Sequence, residues 1–291
     1  MERIENLVDA LGGELGVGAG QLLARHSYEI DADGFGPHSN VLGHPLISLP
    51  IWTADAVGPI EPEFLGNICD SSLCGYLSVR AEDDYFDEKS AVAETTMMVA
   101  SFFRTRHQAL LGPIVSDRRF WERFESLWRD YSEAMLREQV LHSPHSQYGR
   151  DEFDAVLNRS QPLEIPGIAV LSLAERWDLA KDMSTLVRHL TRATQLFYDF
   201  VDAPDDLEAG NYTWMVRRLG GLNGRKELGR GMIALGDGIV TEVADELARA
   251  VDLAEHIGLV DLADWAEERK KVIREGLRRM YESLFRGVGN L

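Results

Sequence analysis

Proline is scarce in this sequence, and its distribution limits where helices can run. Only ten prolines occur among 291 residues. They lie between residues 37 and 62, near 113, at 144, from 162 to 166 and at 204. The segments between them place apolar residues at helical spacing, and the alternation typical of strands is nearly absent. The sequence therefore predicts an all-α fold.

These breaks predict the individual helices. We expect a first helix over 2–26 and an irregular loop over 28–60, where glycine and proline are frequent. Further helices are expected at 61–88, 90–111, 116–141, 151–160, 168–176, 179–208, 212–219, 226–256 and 258–286. Gly210 supplies a stop for the helix at 179–208. Since no repeat or clear linker is present, we predict one domain over 1–291, a helical bundle around a central cavity.

Charge and composition exclude several classes of function. The formal net charge of −18 argues against a nucleic-acid partner and suits a site that collects divalent cations. Cys69 and Cys74 would point to different faces of a helix, so neither a disulfide nor a zinc site is expected, which fits a reducing cytoplasm. The N-terminal stretch MERIENLVDALGGELG is no secretory signal, and no apolar run approaches the ~18 residues of a membrane span. We expect a cytoplasmic protein.

An acidic stretch, YLSVRAEDDYFDEKS at residues 76–90, follows an apolar segment. On a helix, Tyr76, Arg80, Asp83, Asp84 and Asp87 share one face. Carboxylates are unfavourable at a helix C-terminus because of its partial negative charge. The stretch is therefore either a solvated face or a cation site.

A second stretch, RATQLFYDFVDAPDDLEAGNYTW at residues 192–214, repeats this arrangement. Arg192, Gln195, Asp199, Asp202 and Asp206 are spaced 3, 4, 3 and 4 and form one helical stripe. If the two stripes faced each other, their carboxylates could be buried only when paired or bound to metal. Oxygen ligands favour a hard cation, Mg²⁺ above all.

The two stretches resemble the paired aspartate motifs of the class I isoprenoid synthase superfamily. The first is similar to the squalene/phytoene synthase pattern of Tyr, Arg and DDxxDE, and the matching residues are Tyr76, Arg80, Asp83, Asp84, Asp87 and Glu88. The second is similar to the Gln-Leu, DxxED and Gly pattern of the same branch, through Gln195, Leu196, Asp202, Asp205, Asp206 and Gly210. The stretch from Tyr198 to Asp202 also resembles the DDxxD of trans-prenyltransferases, with Tyr198 in place of the first aspartate.

The resemblance implies a class I isoprenoid synthase-like helical bundle and a role for each matching residue. Three Mg²⁺ ions would be held by Asp83, Asp84, Asp87, Glu88, Asp202 and Asp206, and the aspartates among them would be the catalytic group. Diphosphate oxygens would bind Arg80, Arg159 and Arg192. The substrate pocket would include Tyr76, Phe86, Gln195, Tyr198 and Asp199. For the aromatic residues, plain core packing is the alternative.

The departures from the family patterns bear on the reaction. Head-to-tail prenyltransferases carry a basic Gly-Gly-Lys-Arg element that binds isopentenyl diphosphate, whereas this chain has no Lys or Arg from residue 27 through 79. The Ser-Phe element of phytoene synthases and a nicotinamide site are also not recognisable. The sequence therefore predicts a Mg²⁺-dependent terpene synthase that ionises one allylic isoprenoid diphosphate. We expect the polar segments 142–150 and 205–212 to close over the bound substrate.

Two alternatives to the terpene synthase stay open. One is a prenyltransferase that joins two isoprenoid diphosphates, either squalene/phytoene synthase-like or a prenyl diphosphate synthase. The other is a non-catalytic helical protein, against which the intact carboxylates of both motifs argue. The sequence leaves open the chain length of the substrate, the product skeleton, the terminal base and the oligomeric state, a homodimer included.

Overall fold

The computed structural model of this chain describes residues 8–9, 11–27, 45–88, 93–143 and 145–288, with side chains except at 25–27, 45–47, 87–88, 93–94 and 277–288. All regular structure in these ranges is helical, and no β-strand occurs in them. The all-α prediction is therefore confirmed. No helix in the described ranges has an apolar stretch long enough to cross a bilayer.

The helices follow the predicted order along the chain. Their bounds are α1 Gly13–Ser27, α2 Pro45–Val57, α3 Pro62–Glu88, α4 Ala93–Leu111, α5 Arg118–Leu141, α6 Arg150–Val156, α7 Ile165–Leu173, α8 Ala180–Ala209, α9 Trp214–Arg218, α10 Arg225–Ile257 and α11 Val260–Val288. A 3₁₀ helix at Leu157–Glu164 separates α6 from α7. From α3 onward the predicted ends lie within a few residues of these bounds, except that α6 gives way to the 3₁₀ helix inside the predicted range.

Two predictions for the N-terminal part were wrong. The expected helix over 2–26 is interrupted, because Gly12 and Gly13 have φ angles of 61° and 54°, outside the right-handed helical region. The expected loop over 28–60 contains α2 at its C-terminal end, although 28–44 lie outside the described residues. Pro45 is the first residue of α2, a position where its missing N–H costs no hydrogen bond.

The second proline of α2 shows why composition was a poor guide there. Pro50 lies inside the helix and removes one backbone hydrogen bond. Leu49 and Ala54 on either side of it are buried, and the Thr53 hydroxyl donates to the carbonyl oxygen of Leu49 at 2.6 Å. Burial of an apolar helix face is worth about 1.5–3 kcal/mol per large side chain, enough to offset the lost bond.

The chain divides into two compact units. Unit 1 comprises Met1–Phe124 and Leu163–Lys181, and unit 2 comprises Glu125–Pro162 and Asp182–Leu291. The first aspartate motif lies in unit 1 and the second in unit 2. The single-domain organisation therefore stays a prediction.

In unit 1, α3 packs closely along α4 at a glycine. A Cβ on Gly75 would lie 3.2 Å from Nδ1 of His107, so the ring occupies space that only glycine leaves. The Ser71 hydroxyl lies 2.7 Å from the same nitrogen, and the ring stacks on Phe124. Burial lowers the pKa of His107 to about 4, so the imidazole is neutral and serves the packing of the helix that carries the first motif.

In unit 2, α8 buries an apolar stripe along its length. Leu190, Leu196, Phe200 and Ala203 on this helix are each at most 2% exposed. Together with Ala193, which is 1% exposed, they are three or four residues apart and define one inward face. The polar stripe of the second motif lies beside this face, which holds its carboxylates partly out of water.

Candidate functional site

The first motif lies on the last turns of α3. This helix is held in place by Leu73 and Leu77, which are buried in the core of unit 1. Nη1 of Arg80 donates to Oδ2 of Asp83 at 3.2 Å, and both side chains are partly buried. The structure therefore brings together one predicted diphosphate-binding residue and one predicted metal ligand.

The structure gives fewer contacts for the other predicted residues of this motif. Asp84 and Phe86 are partly buried. Phe86 meets Tyr85 edge to face, with ring centroids 5.3 Å apart. Asp87 and Glu88 belong to α3, but their side chains lie outside the described residues.

Tyr76 packs against the buried core of unit 1. Its ring is partly buried, beside a cluster that includes Leu77 and Phe103. Core packing accounts for this contact without a substrate. The pocket role of Tyr76 therefore rests on the family resemblance.

The second motif lies on the C-terminal half of α8. Gly210 follows the helix with a φ of 80°, so the predicted stop is confirmed. Pro204 is accommodated within the helix. The backbone N–H of Asn211 donates to the carbonyl oxygen of Asp206 at 2.8 Å, which fixes the end of the motif.

Three residues predicted separately for this site form one hydrogen-bonded chain. Nη2 of Arg159 donates to Oε1 of Gln195 at 2.7 Å. The Gln195 amide then donates through Nε2 to Oδ1 of Asp199. A predicted diphosphate ligand is thus joined to two predicted pocket residues.

A fourth member of this chain escaped the sequence analysis. Both carboxylate oxygens of Glu138, on α5, accept hydrogen bonds from Nη1 of Arg159 at 2.9 and 2.8 Å. Glu138 is only 6% exposed. Its position on an amphipathic helix with many other charges gave no signal of this partner, although a glutamate on the buried side of that helix could have raised the question.

Two further side chains complete this polar region, and burial perturbs both. Nε2 of His142 lies 3.6 Å from Oε1 of Glu138, and the imidazole stacks on Tyr148. Burial, with Arg159 and Arg217 nearby, lowers the pKa of His142 to about 4. Burial, with Glu138 and Asp199 nearby, raises the pKa of Tyr148 well above its usual range. Both groups are therefore neutral at physiological pH.

Burial also raises the pKa values of two aspartates on α8. It raises the pKa of Asp199 to about 7, with Asp206 and Glu138 acting in the same direction and Arg159 and Gln195 opposing it. Burial, and the charge of Asp205, raise the pKa of Asp202. These carboxylates hold their negative charge at a cost in free energy.

Arg192, a predicted diphosphate ligand, pairs with acidic residues of two other helices of unit 2. Its Nη1 lies 2.7 Å from Oδ1 of Asp154, and its Nε lies 3.4 Å from Oε1 of Glu246. Glu246 is buried and also contacts Nδ1 of His189 at 2.6 Å. These contacts favour a structural role for the Arg192 guanidinium.

Tyr198, a predicted pocket residue, contacts the last helix. Its hydroxyl accepts a hydrogen bond from Nη2 of Arg269 on α11 at 3.3 Å. The rings of Phe197 and Tyr198 lie 5.9 Å apart. Tyr198 is only partly buried, so its ring is not committed wholly to the core.

Two loop segments of unit 2 are tied together near this network. The backbone N–H of Tyr212 donates to the carbonyl oxygen of His142 at 3.0 Å. The Arg217 guanidinium donates to the carbonyl oxygens of Tyr212 at 2.9 Å and Ser143 at 2.6 Å, and to the hydroxyl of Ser146 at 3.0 Å. We use the name loop clamp for Arg217 and the two segments that it joins. These are the turn after α5, with His142, Ser143 and Ser146, and the segment after α8, with Tyr212. Closure of these segments over a substrate stays a prediction.

A small cavity of about 280 Å³ lies at the C-terminal end of α8. Its lining includes Pro204, Leu207, Tyr212 and Leu222. Sites for small molecules usually measure about 300–1,000 Å³. We therefore do not assign the substrate to this cavity.

The carboxylates of α8 supply oxygen donors, the ligand type that a hard cation prefers. Asp202 is half-buried and has no hydrogen-bond or ion-pair partner among the described residues. Asp205, which is exposed, adds negative charge beside it. In the part of the chain with described side chains, no three His, Cys, Asp or Glu groups are close enough to hold a metal ion. The donor chemistry fits Mg²⁺, and the Mg²⁺ assignment stays a proposal.

Comparisons with known proteins bear on the fold. No protein-family model matches the sequence, and no curated protein matches it. Among solved structures, a polyprenyl synthase from Roseobacter denitrificans is similar, with a TM-score of 0.61 and 15% sequence identity. The match covers 92% of this chain and 100% of that chain. The likeness shows that this chain has the helical fold of the isoprenoid synthases.

Proposed function

We propose that this chain is a Mg²⁺-dependent class I terpene synthase, which ionises an allylic isoprenoid diphosphate and releases pyrophosphate while the carbocation cyclises or rearranges. The observation that carries the proposal is Asp202, half-buried on α8 without a partner among the described residues. Such a charge is costly unless a cation compensates it. The fold, and a neighbour that is a polyprenyl synthase, support an isoprenoid substrate class.

The residues that would hold Mg²⁺ are Asp83, Asp84, Asp87 and Glu88 on α3, and Asp202 and Asp206 on α8. When bound, Mg²⁺ would neutralise the diphosphate and make it a better leaving group. Arg80 donates to Asp83, and on binding a diphosphate it would exchange this carboxylate for a diphosphate oxygen. In unit 2, Arg159 is the proposed diphosphate ligand.

Aromatic side chains near the motifs would protect the carbocation. Tyr76, Phe86 and Tyr198 are each only partly buried, so part of each ring is accessible. An aromatic face stabilises a cation by about 0.5–2 kcal/mol. These contributions are small beside leaving-group activation, so we expect them to select among products rather than to set the rate.

A prenyltransferase that joins two isoprenoid diphosphates is the second candidate. The neighbour's description as a polyprenyl synthase favours it. The lack of Lys and Arg from residue 27 through 79 argues against it, because a second diphosphate needs its own cationic site.

Product analysis tests the proposal. Geranyl, farnesyl, geranylgeranyl and geranylfarnesyl diphosphates are incubated with the protein and Mg²⁺, each with and without isopentenyl diphosphate. We expect one of them to yield pyrophosphate and a hydrocarbon or alcohol without incorporation of isopentenyl diphosphate. A longer diphosphate, or a head-to-head product, would establish the prenyltransferase instead. If no substrate is consumed under any condition, the enzymatic proposal is wrong.

A pair of variants links the activity to α8. Asp202→Asn removes the carboxylate that lacks a partner, and we expect loss of turnover. Asp252→Asn makes the same chemical change at an exposed position of α10 and should leave turnover unchanged. Equal activity of the two variants would show that the reaction does not depend on the carboxylate of Asp202 in the second motif.

A further inference from the structure

Arg159 supplies a counter-charge to the buried glutamate of α5. Both oxygens of Glu138 accept from Nη1 of Arg159, and the glutamate is 6% exposed. His142 lies nearby, but burial keeps it neutral by lowering its pKa to about 4. A carboxylate removed from water needs such a charged partner. The Glu138–Arg159 pair is therefore a fixed element of unit 2.

The same arginine determines how the amide of Gln195 is oriented. Nη2 of Arg159 donates to Oε1 of Gln195. If the amide were flipped, its NH₂ group would face a guanidinium that has only donors. The NH₂ group must therefore point the other way, where it donates to Oδ1 of Asp199. Each bond in the chain from Glu138 to Asp199 fixes the direction of the next.

We propose that Glu138 is a positioning residue for the site on α8. By holding Arg159 with both oxygens, it fixes the Gln195 amide and, through that amide, the carboxylate of Asp199. Its catalytic consequence rests on the proposed function, because only a reaction at α8 would register the loss of this order. The orientation of Gln195 itself does not depend on that function.

Glu138→Gln tests the role with little change in volume. One of the two acceptors becomes an NH₂ group that repels the guanidinium. We expect kcat to fall about 10- to 100-fold because reacting groups are misplaced, and KM to rise by a smaller factor because Arg159 is also a proposed diphosphate ligand. Glu133→Gln is the matched control, because Glu133 is an exposed glutamate on the same helix.

A double variant shows whether Glu138 acts through Arg159. In an Arg159→Gln background, Glu138→Gln should cause no further loss of kcat, because the chain is already broken. Losses that multiply would show that Glu138 acts independently, and the inference would be overturned.

A spectroscopic measurement needs no turnover. In ¹⁵N NMR spectra, the side-chain NH₂ of Gln195, assigned by its absence in Gln195→Leu, should be slow to exchange with water. Glu138→Gln should move this signal toward those of exposed glutamines, and Glu133→Gln should not. If Glu138→Gln does not fold, Arg159→Lys serves instead, because an ammonium lacks the planar fork that bridges Glu138 and Gln195.

The outcomes separate the two proposals. A Gln195 signal that is unchanged in these variants overturns the positioning role. A signal that moves in a protein with no turnover on any diphosphate upholds the positioning role and overturns the terpene synthase.

Discussion

Replacing Asp199 by asparagine should raise the stability of the protein more at high pH than at low pH. Burial is the main reason that the pKa of Asp199 rises from 3.8 to about 7. The folded state therefore binds this proton more tightly than the unfolded state does. Below the unfolded pKa both states are protonated, and above it the wild type loses stability with rising pH until the folded pKa is passed.

The size of the effect follows from the same values. One pKa unit corresponds to about 1.4 kcal/mol, so a rise of about three units amounts to about 4 kcal/mol. Asp199 keeps some solvent exposure, and we therefore expect about 2–4 kcal/mol. Asparagine does not titrate, and its Oδ1 can still accept from Gln195. The gain of Asp199→Asn over the wild type should thus grow by this amount between pH 4 and pH 8.

Urea denaturation followed by far-ultraviolet circular dichroism measures the effect at four or five pH values. Asp252→Asn, at an exposed site, should differ from the wild type by a small and constant amount. A difference between Asp199→Asn and the wild type that does not change with pH would show that the carboxyl of Asp199 titrates normally, and the reasoning would be refuted.

Further predictions concern the other parts of the site. Asp83→Ala and Asp87→Ala should each abolish turnover and leave the circular dichroism spectrum unchanged, since they remove charge repulsion as well as ligands. Asp206→Ala should weaken pyrophosphate binding in calorimetry far more with Mg²⁺ than without it. Arg192→Gln should lower the free energy of unfolding by about 1–3 kcal/mol, because it removes the ion pair with Asp154 and one of the counter-charges of Glu246. Arg217→Gln should speed amide hydrogen exchange in both segments of the loop clamp at once.

Each of these predictions has an opposing result. Near-normal activity of both α3 variants would show that Asp83 and Asp87 do not bind the metal ions. Equal pyrophosphate affinity of wild type and Asp206→Ala, with or without Mg²⁺, would make the second stripe a charged face only. A stable Arg192→Gln protein with weakened pyrophosphate binding would return Arg192 to the diphosphate site. Faster exchange in one segment alone would show that Arg217 does not couple them.

The sequence predicted the helices well where local pattern and tertiary packing agree. Long helices such as α8 and α10 carry an apolar stripe over many turns, so their ends can be predicted from the sequence alone. Helix α2 was missed because Pro45 and Pro50 indicate a loop when taken alone. Its stability comes from the burial of Leu49 and Ala54, which no local rule reports.

The site was predictable where its residues lie on one helix and hidden where they lie on several. The stripe of Gln195, Asp199 and Asp202 follows from helical spacing alone. Glu138 is 21 residues from Arg159 and 57 from Gln195 in sequence, so only the tertiary structure shows their contact. Arg192 follows the same spacing as the motif, yet its long side chain reaches Asp154 and Glu246 instead.

Because of the loop clamp, part of the conformational entropy of its two segments is lost during folding rather than on ligand binding. Arg217 and Ser143 are 74 positions apart in sequence, so their bond closes a long loop during folding. The cost of that closure grows only slowly with loop length, and it is met once, before any ligand arrives. These bonds reduce the entropy that a ligand contacting either segment would still have to remove, which favours affinity through preorganisation rather than through added contacts. Because Arg217 joins the two segments, an insertion engineered into one segment should also change the order of the other.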